Sequence, residues 1–264
     1  MLVLIRGAGD LASGIALRLH RSGLQVVMTE LPQPMAIRRT VSFSQAIVHG
    51  SCTVEDVRAA RAESEADVKA ALAGGVIPVL ADAQAGCKAW LHPDVLVDAI
   101  LAKRNLGTRR TDAPVVIGVG PGFTAGADCH AVVETMRGHT LGRCIYAGSA
   151  LPNTNVPGLI GGFAGERVLR APDTGVFHAL AEIGDHVEVG ACVGEVNGAP
   201  MRCTISGVLR GLLADGTSVT KGLKSGDVDP RDDESCCFTV SDKALAIAGG
   251  VLEAILHLGG SFLP

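Results

Sequence analysis

Aromatic side chains are scarce: six Phe, one Trp and one Tyr in 264 residues. A core must therefore be built from aliphatic and small residues. With 47% hydrophobic and 19% charged residues the balance is that of a buried globular chain, which excludes disorder as the main state. No sign of charge dominates: 23 Lys and Arg face 27 Asp and Glu, a net charge of −4. So mild and interspersed a balance argues against a nucleic-acid partner held by phosphate electrostatics. No uninterrupted apolar stretch approaches the roughly 18 residues of a membrane span. Arg6 and Asp10 interrupt the only apolar start that could imitate a signal peptide. The eight cysteines (52, 87, 129, 144, 192, 203, 236 and 237) include no C-x-x-C pair and no zinc-type Cys/His spacing. Neither a disulfide framework nor a structural metal is indicated, and most of the thiols read as small buried apolar residues. These absences predict a cytoplasmic protein with no membrane and no nucleic-acid partner.

Glycine, by contrast, is abundant, with 34 residues. Residues 2–6 read as a short buried strand that runs into Gly7-Ala8-Gly9-Asp10-Leu11-Ala12-Ser13-Gly14 and then a helix-like stretch to His20. The spacing Gly7-x-Gly9-x-x-Ala12 fits a dinucleotide fingerprint. Gly7 permits the tight turn, Gly9 lets backbone approach a pyrophosphate, and Ala12 lets helix and strand pack closely. A phosphate would sit at the helix N-terminus, where amides and the helix dipole favour an anion. A second strand from Leu24 to Thr29 ends in Glu30, 21 residues beyond Gly9, where the ribose-binding acid of such folds is expected. A carboxylate there would repel a 2′-phosphate, favouring NAD or another unphosphorylated ribose over NADP. Arg38 and Arg39 weaken that preference, although they read better as a solvated basic pair.

Further strand-like runs follow at 76–80, 94–99 and 115–119, with a helix from Glu65 to Leu72 stopped by Gly74-Gly75. These runs end in loops of polar or glycine-rich composition. That layout predicts an α/β fold, a Rossmann-like and mostly parallel sheet whose ligands lie beyond the carboxyl ends of the strands. Arg104, Asn105, Gly120 and Gly122 are then candidates to complete the pocket begun by Gly7, Gly9, Asp10, Ala12, Gly14 and Glu30. Arg104 reads equally as a surface charge, and the glycines as an ordinary loop. His130 and Glu134 are spaced to share a face of either helix or strand, but a pair without a third ligand is more often structural. Cys52 has no certain cationic neighbour to activate it, and it reads as inert.

Between 170 and 228 the chain repeats itself at an offset of 32 residues without a gap. Gly175, Gly184, Gly190 and Gly194 match Gly207, Gly216, Gly222 and Gly226, and Arg170, Val176, Leu180, Val187 and Val196 find counterparts likewise. One copy could not bury its apolar face alone, so the two are expected to interlock as a small β sandwich or barrel. The block from Arg170 to Phe177 and from Glu182 to Gly190 resembles a biotinyl/lipoyl-type barrel-sandwich hybrid. At the midpoint hairpin, Asn197-Gly198-Ala199-Pro200-Met201-Arg202, there is no lysine to modify. Lys221 and Lys224 fall in a later turn, which argues against a carrier. A tail helix over 241–258 shows Leu245, Ala248, Leu252, Ile255 and Leu256 at helical spacing. The expected division is 1–165 for the nucleotide-binding domain, 166–231 for the duplicated β domain, and 232–264 for the C-terminal segment.

The glycine turn, Ala102-Lys103-Arg104-Asn105, the stretch from Gly118 to Gly126 and the block ending Gly226-Asp227-Val228-Asp229-Pro230-Arg231 together resemble the YqeB family. These are accessory proteins of selenium-dependent molybdenum hydroxylases. The first half is also similar to the Rossmann-type domain of XdhC, a maturation factor that handles sulfuration of molybdenum cofactor. The resemblance implies a role in making or inserting a molybdenum cofactor, with a dinucleotide-type ligand such as NAD or molybdopterin dinucleotide on the glycine turn. Its partners would be a molybdenum hydroxylase or cofactor-biosynthesis proteins, with a homo-oligomer open. No catalytic residue set comes with the family. The alternative from the residues alone is an NAD-dependent oxidoreductase acting on a small molecule, with His130 or Lys103 as proton donor.

Overall fold

The computed structural model describes residues 1–154 and 156–260. The chain divides into two compact units. The first comprises 1–34, 42–154 and 240–264, and the second 35–41 and 155–239.

The first unit is mixed α/β, built on one nine-stranded, mostly parallel sheet. Its strands are β1 (Leu2–Arg6), β2 (Gln25–Glu30), β3 (Ser51–Val54), β4 (Val57–Ala62), β5 (Ile77–Ala81), β6 (Val95–Asp98), β7 (Val115–Val119), β9 (Ala131–Val133) and β10 (Cys144–Ile145), with β8 (Thr124–Ala125) pairing outside it to β11 (Gly148–Ser149). Their order is β10-β9-β7-β6-β1-β2-β5-β4-β3. Only the edge pairs β3–β4 and β9–β10 are antiparallel. Strand β1 is central, and later strands are added outward on both sides of it, β2 and β5 on one and β6 and β7 on the other. An open parallel sheet leaves a crevice where its order reverses in this way, outside the carboxyl ends of the strands.

Helix α1 (Asp10–Arg21) follows β1 directly. It buries Leu11, Ala12, Ile15, Ala16 and Leu19, the i, i+1, i+4, i+5, i+8 stripe of a helix lying on a sheet. Asp10 in its first turn and Arg18, His20 and Arg21 in its last complement the helix dipole. On the other sheet face, Leu4, Val27, Leu80, Leu96, Val116 and Val132 form a core with Val68, Cys87 and Cys129. Val68 belongs to α3 (Glu65–Ala73), which Ser64 and Asp67 start with a reciprocal capping box. Two shorter helices are α2 (Gln45–His49) and α4 (Lys88–Leu91).

Two helices lie near the end of the described chain, α5 (Ser235–Phe238) in the second unit and α6 (Asp242–Leu258) in the first. The stretch Ser235–Leu258 is long and apolar enough by composition to cross a membrane. Helix α6 nevertheless turns Ala244, Ile247, Ala248, Val251, Ala254 and Ile255 into the protein, the ordinary use of an apolar stripe in a core helix. It seats by close backbone approach. A Cβ on Gly250 would lie 2.1 Å from Gly142 O, one on Gly142 2.5 Å from Ala246 O, and one on Gly14 2.7 Å from Ala244 Cβ.

The second unit shows what the internal repeat builds. Its strands are β12 (Val168–Arg170), β13 (Gly175–Ala179), β14 (His186–Val187), β15 (Cys192–Val196), β16 (Ala199–Arg202), β17 (Gly207–Leu212), β18 (Ser218–Val219) and β19 (Lys224–Asp229). They form two four-stranded sheets, β12-β19-β17-β14 and β16-β15-β13-β18. Moving along the chain by one repeat turns either sheet into the other, so each copy lends its outer strands to its twin's central pair. Between the sheets lie Phe177, Val193, Val196, Leu209, Leu212 and Val228. The copies differ in their polar groups. In the second, Arg210 donates to Asp227 at 2.6 Å and to Asp229 at 3.1 Å, Arg167 donates to Asp227 at 3.0 Å, and Arg231 grips Asp229 at 2.6 Å. These guanidinium groups hold the Asp229 carboxyl down, at about 2, against the opposing cost of its burial.

The boundaries differ from the division expected at 165/166 and 231/232. The sheet unit stops at residue 154, and α6 belongs to it because the α1 face needs a cover. Residues 35–41 join the β unit, where Arg38 donates to the carbonyls of Cys236 and Thr239, Arg39 donates to Leu212 O, and Leu212 donates to Ile37 O. Arg38 and Arg39 are thus structural clamps, not a solvated pair. Residues 261–264 of the expected C-terminal segment lie outside the described residues.

Candidate functional site

The loops that leave β1, β2, β6 and β7 meet at the carboxyl end of the sheet. Gly7 continues the β1–β2 pairing by donating to Thr29 O at 2.8 Å, then turns with φ +99°. A Cβ on it would lie 2.9 Å from Ala99 O, so the chain leaving β6 runs directly against this turn. Ala8 donates its N–H to Glu30 Oε2 at 2.9 Å, and Leu31 donates to Oε1 at 2.7 Å. Glu30 therefore does stand beside the glycine turn as its position in the sequence predicts, though part of its capacity goes to main-chain amides. A carboxylate accepts about four hydrogen bonds, so a diol could still be met. Ser13, fully buried, donates to Ala8 O at 3.1 Å and accepts from Phe43 N at 2.8 Å, while Ser44 N donates to Ala8 O at 2.9 Å. The turn is braced on that side.

Gly9 is different. It begins α1 with φ −70°, a conformation open to any residue, and a Cβ built on it meets no protein atom within 4 Å. The space in front of it opens at the first turn of a twelve-residue helix. No contact within the protein accounts for glycine at this position, and a pyrophosphate ester approaching the backbone would.

Other predicted residues divide sharply. Gly122 is held against the β6 loop, for a Cβ there would lie 2.6 Å from both N and Cα of Arg104. Arg104 is thus brought to the same end of the sheet, with its side chain exposed. Asp10 is the first residue of α1, and Ala12, almost fully buried, lets helix and sheet approach as expected. Three expectations are corrected. Gly14 faces α6 and is a packing glycine, not part of a cradle. Asn105 closes its own turn, accepting from Gly107 N and Thr108 N and donating to Thr108 O, all within 2.9 Å, and so is not placed as a ligand. Gly120 makes room for Thr135, whose Oγ1 would stand 2.8 Å from a Cβ.

Beneath the turn lies a polar group that no sequence signal singled out. Arg6, at the end of β1, donates to Asp98 at the end of β6 (3.1 Å) and to Thr108, and Thr108 donates to the same Asp98 oxygen at 2.6 Å. All three are at most 4% exposed. Asp98 Oδ1 also accepts from Ile100 N at 3.2 Å. A neutral buried pair at the ends of the two strands flanking the crevice fixes the β6 loop relative to the glycine turn. Arg6 and Asp98 are 92 residues apart, and a charged residue closing an otherwise apolar strand was the only available hint.

The remaining candidates are structural. Glu134 is buried, accepting from the amides of Thr135, Met136 and Leu151. His130 accepts from Val116 N through Nδ1, and burial, helped by nearby Arg110, lowers its pKa. Among the described residues no three His, Cys, Asp or Glu side chains gather as a metal-binding group. Burial pushes the Cys52 thiol up to about 11, which leaves it a poor nucleophile. At the β unit's midpoint hairpin, Asn197 (φ +52°) and Gly198 (φ +76°) form the two-residue turn between the paired Val196 and Ala199. Asn197 Nδ2 donates to Thr174 O at 2.9 Å, and its Oδ1 occupies the space a Cβ on Gly175 would need. This tip is tied down.

With that geometry in place, comparison with known proteins can be read. The chain is 50% identical over 257 residues to the uncharacterized protein YqeB of Escherichia coli K12. This match supports YqeB family membership. It covers 97% of the present chain and 48% of the E. coli protein, so the chain spans about half the length of the YqeB relative it matches. No protein-family model matches. Among solved structures, an aspartoacylase family protein of Mesorhizobium loti covers 86% of this chain and 84% of its own at 10% identity and a TM-score of 0.28. A succinylglutamate desuccinylase/aspartoacylase of Rhodobacter sphaeroides covers 52% and 58% at 16% identity and a TM-score of 0.22. Likeness at those scores carries no argument about fold or chemistry.

Proposed function

We propose that this YqeB-like chain binds a dinucleotide-type cofactor, NAD or molybdopterin dinucleotide, on its glycine turn. In this reading it acts as an accessory protein in the maturation or insertion of molybdenum cofactor in selenium-dependent molybdenum hydroxylases. The observation that carries the binding proposal is Gly9, whose missing side chain no protein atom explains, opening at the helix start beside Glu30 and at the point where the strand order reverses. The first unit is then a Rossmann-like domain. Gly9 and the first turn of α1 would meet the pyrophosphate, and Glu30 the ribose hydroxyls, its charge disfavouring a 2′-phosphate. The second unit is a barrel-sandwich hybrid without a carrier lysine, a docking module for a hydroxylase or a cofactor-biosynthesis protein. The accessory role rests on the family resemblance, since the E. coli relative is itself uncharacterized.

The test is calorimetric titration of the purified chain and of its Gly9→Ala variant with NAD, NADP and molybdopterin dinucleotide. Gly9→Ala adds a methyl group to open space in an unstrained conformation, so it should fold as the parent does and lose affinity. Failure of all three ligands to bind the parent would remove the proposal, and sustained NADH turnover with carbonyl substrates would replace it with the oxidoreductase reading.

A further inference from the structure

The charges at the carboxyl end of the sheet do not close on themselves. Arg6 and Asp98 neutralise each other beneath the turn. Glu30 spends an oxygen on each of two amides. Asp10 and Lys103 are each engaged by another group. Arg104 is exposed, and its side chain makes no hydrogen bond or ion pair among the described residues. Its backbone, however, is fixed. Gly122 admits Arg104 N and Cα into the space of a side chain, and the Asn105 turn that follows ends on Thr108, which is tied to the buried Arg6–Asp98 pair. The chain from Ala99 to Arg104 therefore runs from contact with Gly7 to contact with Gly122, and it presents an unsatisfied guanidinium from a rigid position.

A helix N-terminus offers an anion the equivalent of about half a positive charge. That suits one phosphoryl group, but a diphosphate ester brings at least two negative charges next to the carboxylate of Glu30. A planar guanidinium, able to donate two parallel hydrogen bonds, is the group suited to the second phosphoryl group. We propose that Arg104 receives the second phosphoryl group of a ligand whose first lies against the start of α1, so that the site selects diphosphate esters over monophosphate esters. The assignment rests on the dinucleotide reading above and adds the residue that enforces it.

Titration with AMP and ADP tests it. The parent should bind ADP at least about tenfold more tightly than AMP, the value of one charge-assisted hydrogen-bonded contact. Arg104→Ala, an exposed change with an unaltered thermal midpoint, should bring the two affinities together by weakening ADP alone. Arg104→Lys should keep part of the gap. A gap that survives Arg104→Ala, or no gap in the parent, overturns the assignment of Arg104 while leaving the glycine turn as the binding site. Absence of binding by both nucleotides, or binding indifferent to Gly9→Ala, brings down the glycine-turn reading and this assignment with it.

Discussion

The glycine turn of the sheet unit and the Asn197-Gly198 tip of the β unit are both the places where such folds would carry a ligand or a prosthetic arm, yet they are built in opposite ways. At the hairpin tip every special feature has a cause inside the protein. The two positive φ angles match the strand twist, and Asn197 is tied to Thr174 and seated on Gly175. At the glycine turn, Gly7 is explained by Ala99, but Gly9 is explained by nothing in the chain. The difference separates a glycine that completes the protein from one that leaves room for something else.

Asp98→Ala should have the largest effect. It would leave the Arg6 guanidinium buried without its counter-charge, at a cost of about 3–5 kcal/mol in urea unfolding, and nucleotide binding should fall with it. A cost no larger than that of breaking the hairpin tip would mean that the two turns are supported alike. Gly7→Ala should come next, losing more than about 1 kcal/mol, because it combines a left-handed backbone with a 2.9 Å approach to Ala99 O. In the β unit, stability should titrate at Asp229 and not at the tip. Its carboxyl is depressed from an ordinary 3.8 to about 2, so the stabilisation is present above pH 3.8 and is lost as the pH falls through about 2. Acid unfolding of the parent should therefore show a steeper loss in that window than Asp229→Asn. Asn197→Ala should cost about 1 kcal/mol and leave nucleotide affinity untouched. The smallest change in stability belongs to Gly9→Ala, unchanged or raised by about 0.4–1 kcal/mol, with binding abolished. A large destabilisation there would show that the protein itself needs that glycine.

Much of the frame was legible because it obeys local rules. The apolar runs of β1, β2, β6 and β7, the helix start at Asp10, the Gly74 stop and the 32-residue repeat are periodic or punctuated signals. Strands β3 and β4 were missed. They form a short antiparallel pair whose sequence, Ser51 to Ala62, mixes small, charged and β-branched residues without a clean apolar alternation. At the site, Gly7, Gly9 and Glu30 could be read because their spacing follows from one strand-turn-helix-strand unit. Gly14 was misread because its reason is α6, more than 220 residues away. Arg6, Asp98 and Thr108 were invisible for the same cause, since only the folded sheet brings them together. Asn105 could have been recognised locally, as an Asn two residues before a Gly commonly closes its own turn.

The glycine seam under α6 has a bearing on biosynthesis. Leu11, Ile15 and Leu19 emerge from the ribosome near the start, yet the helix keyed to Gly14 arrives only after every strand of the repeated β unit has been made. At 5–20 residues per second that delay is roughly 10–45 s. The unit begun first is thus completed last, and a nascent chain arrested before residue 242 would display an uncovered oily ridge for a chaperone to hold.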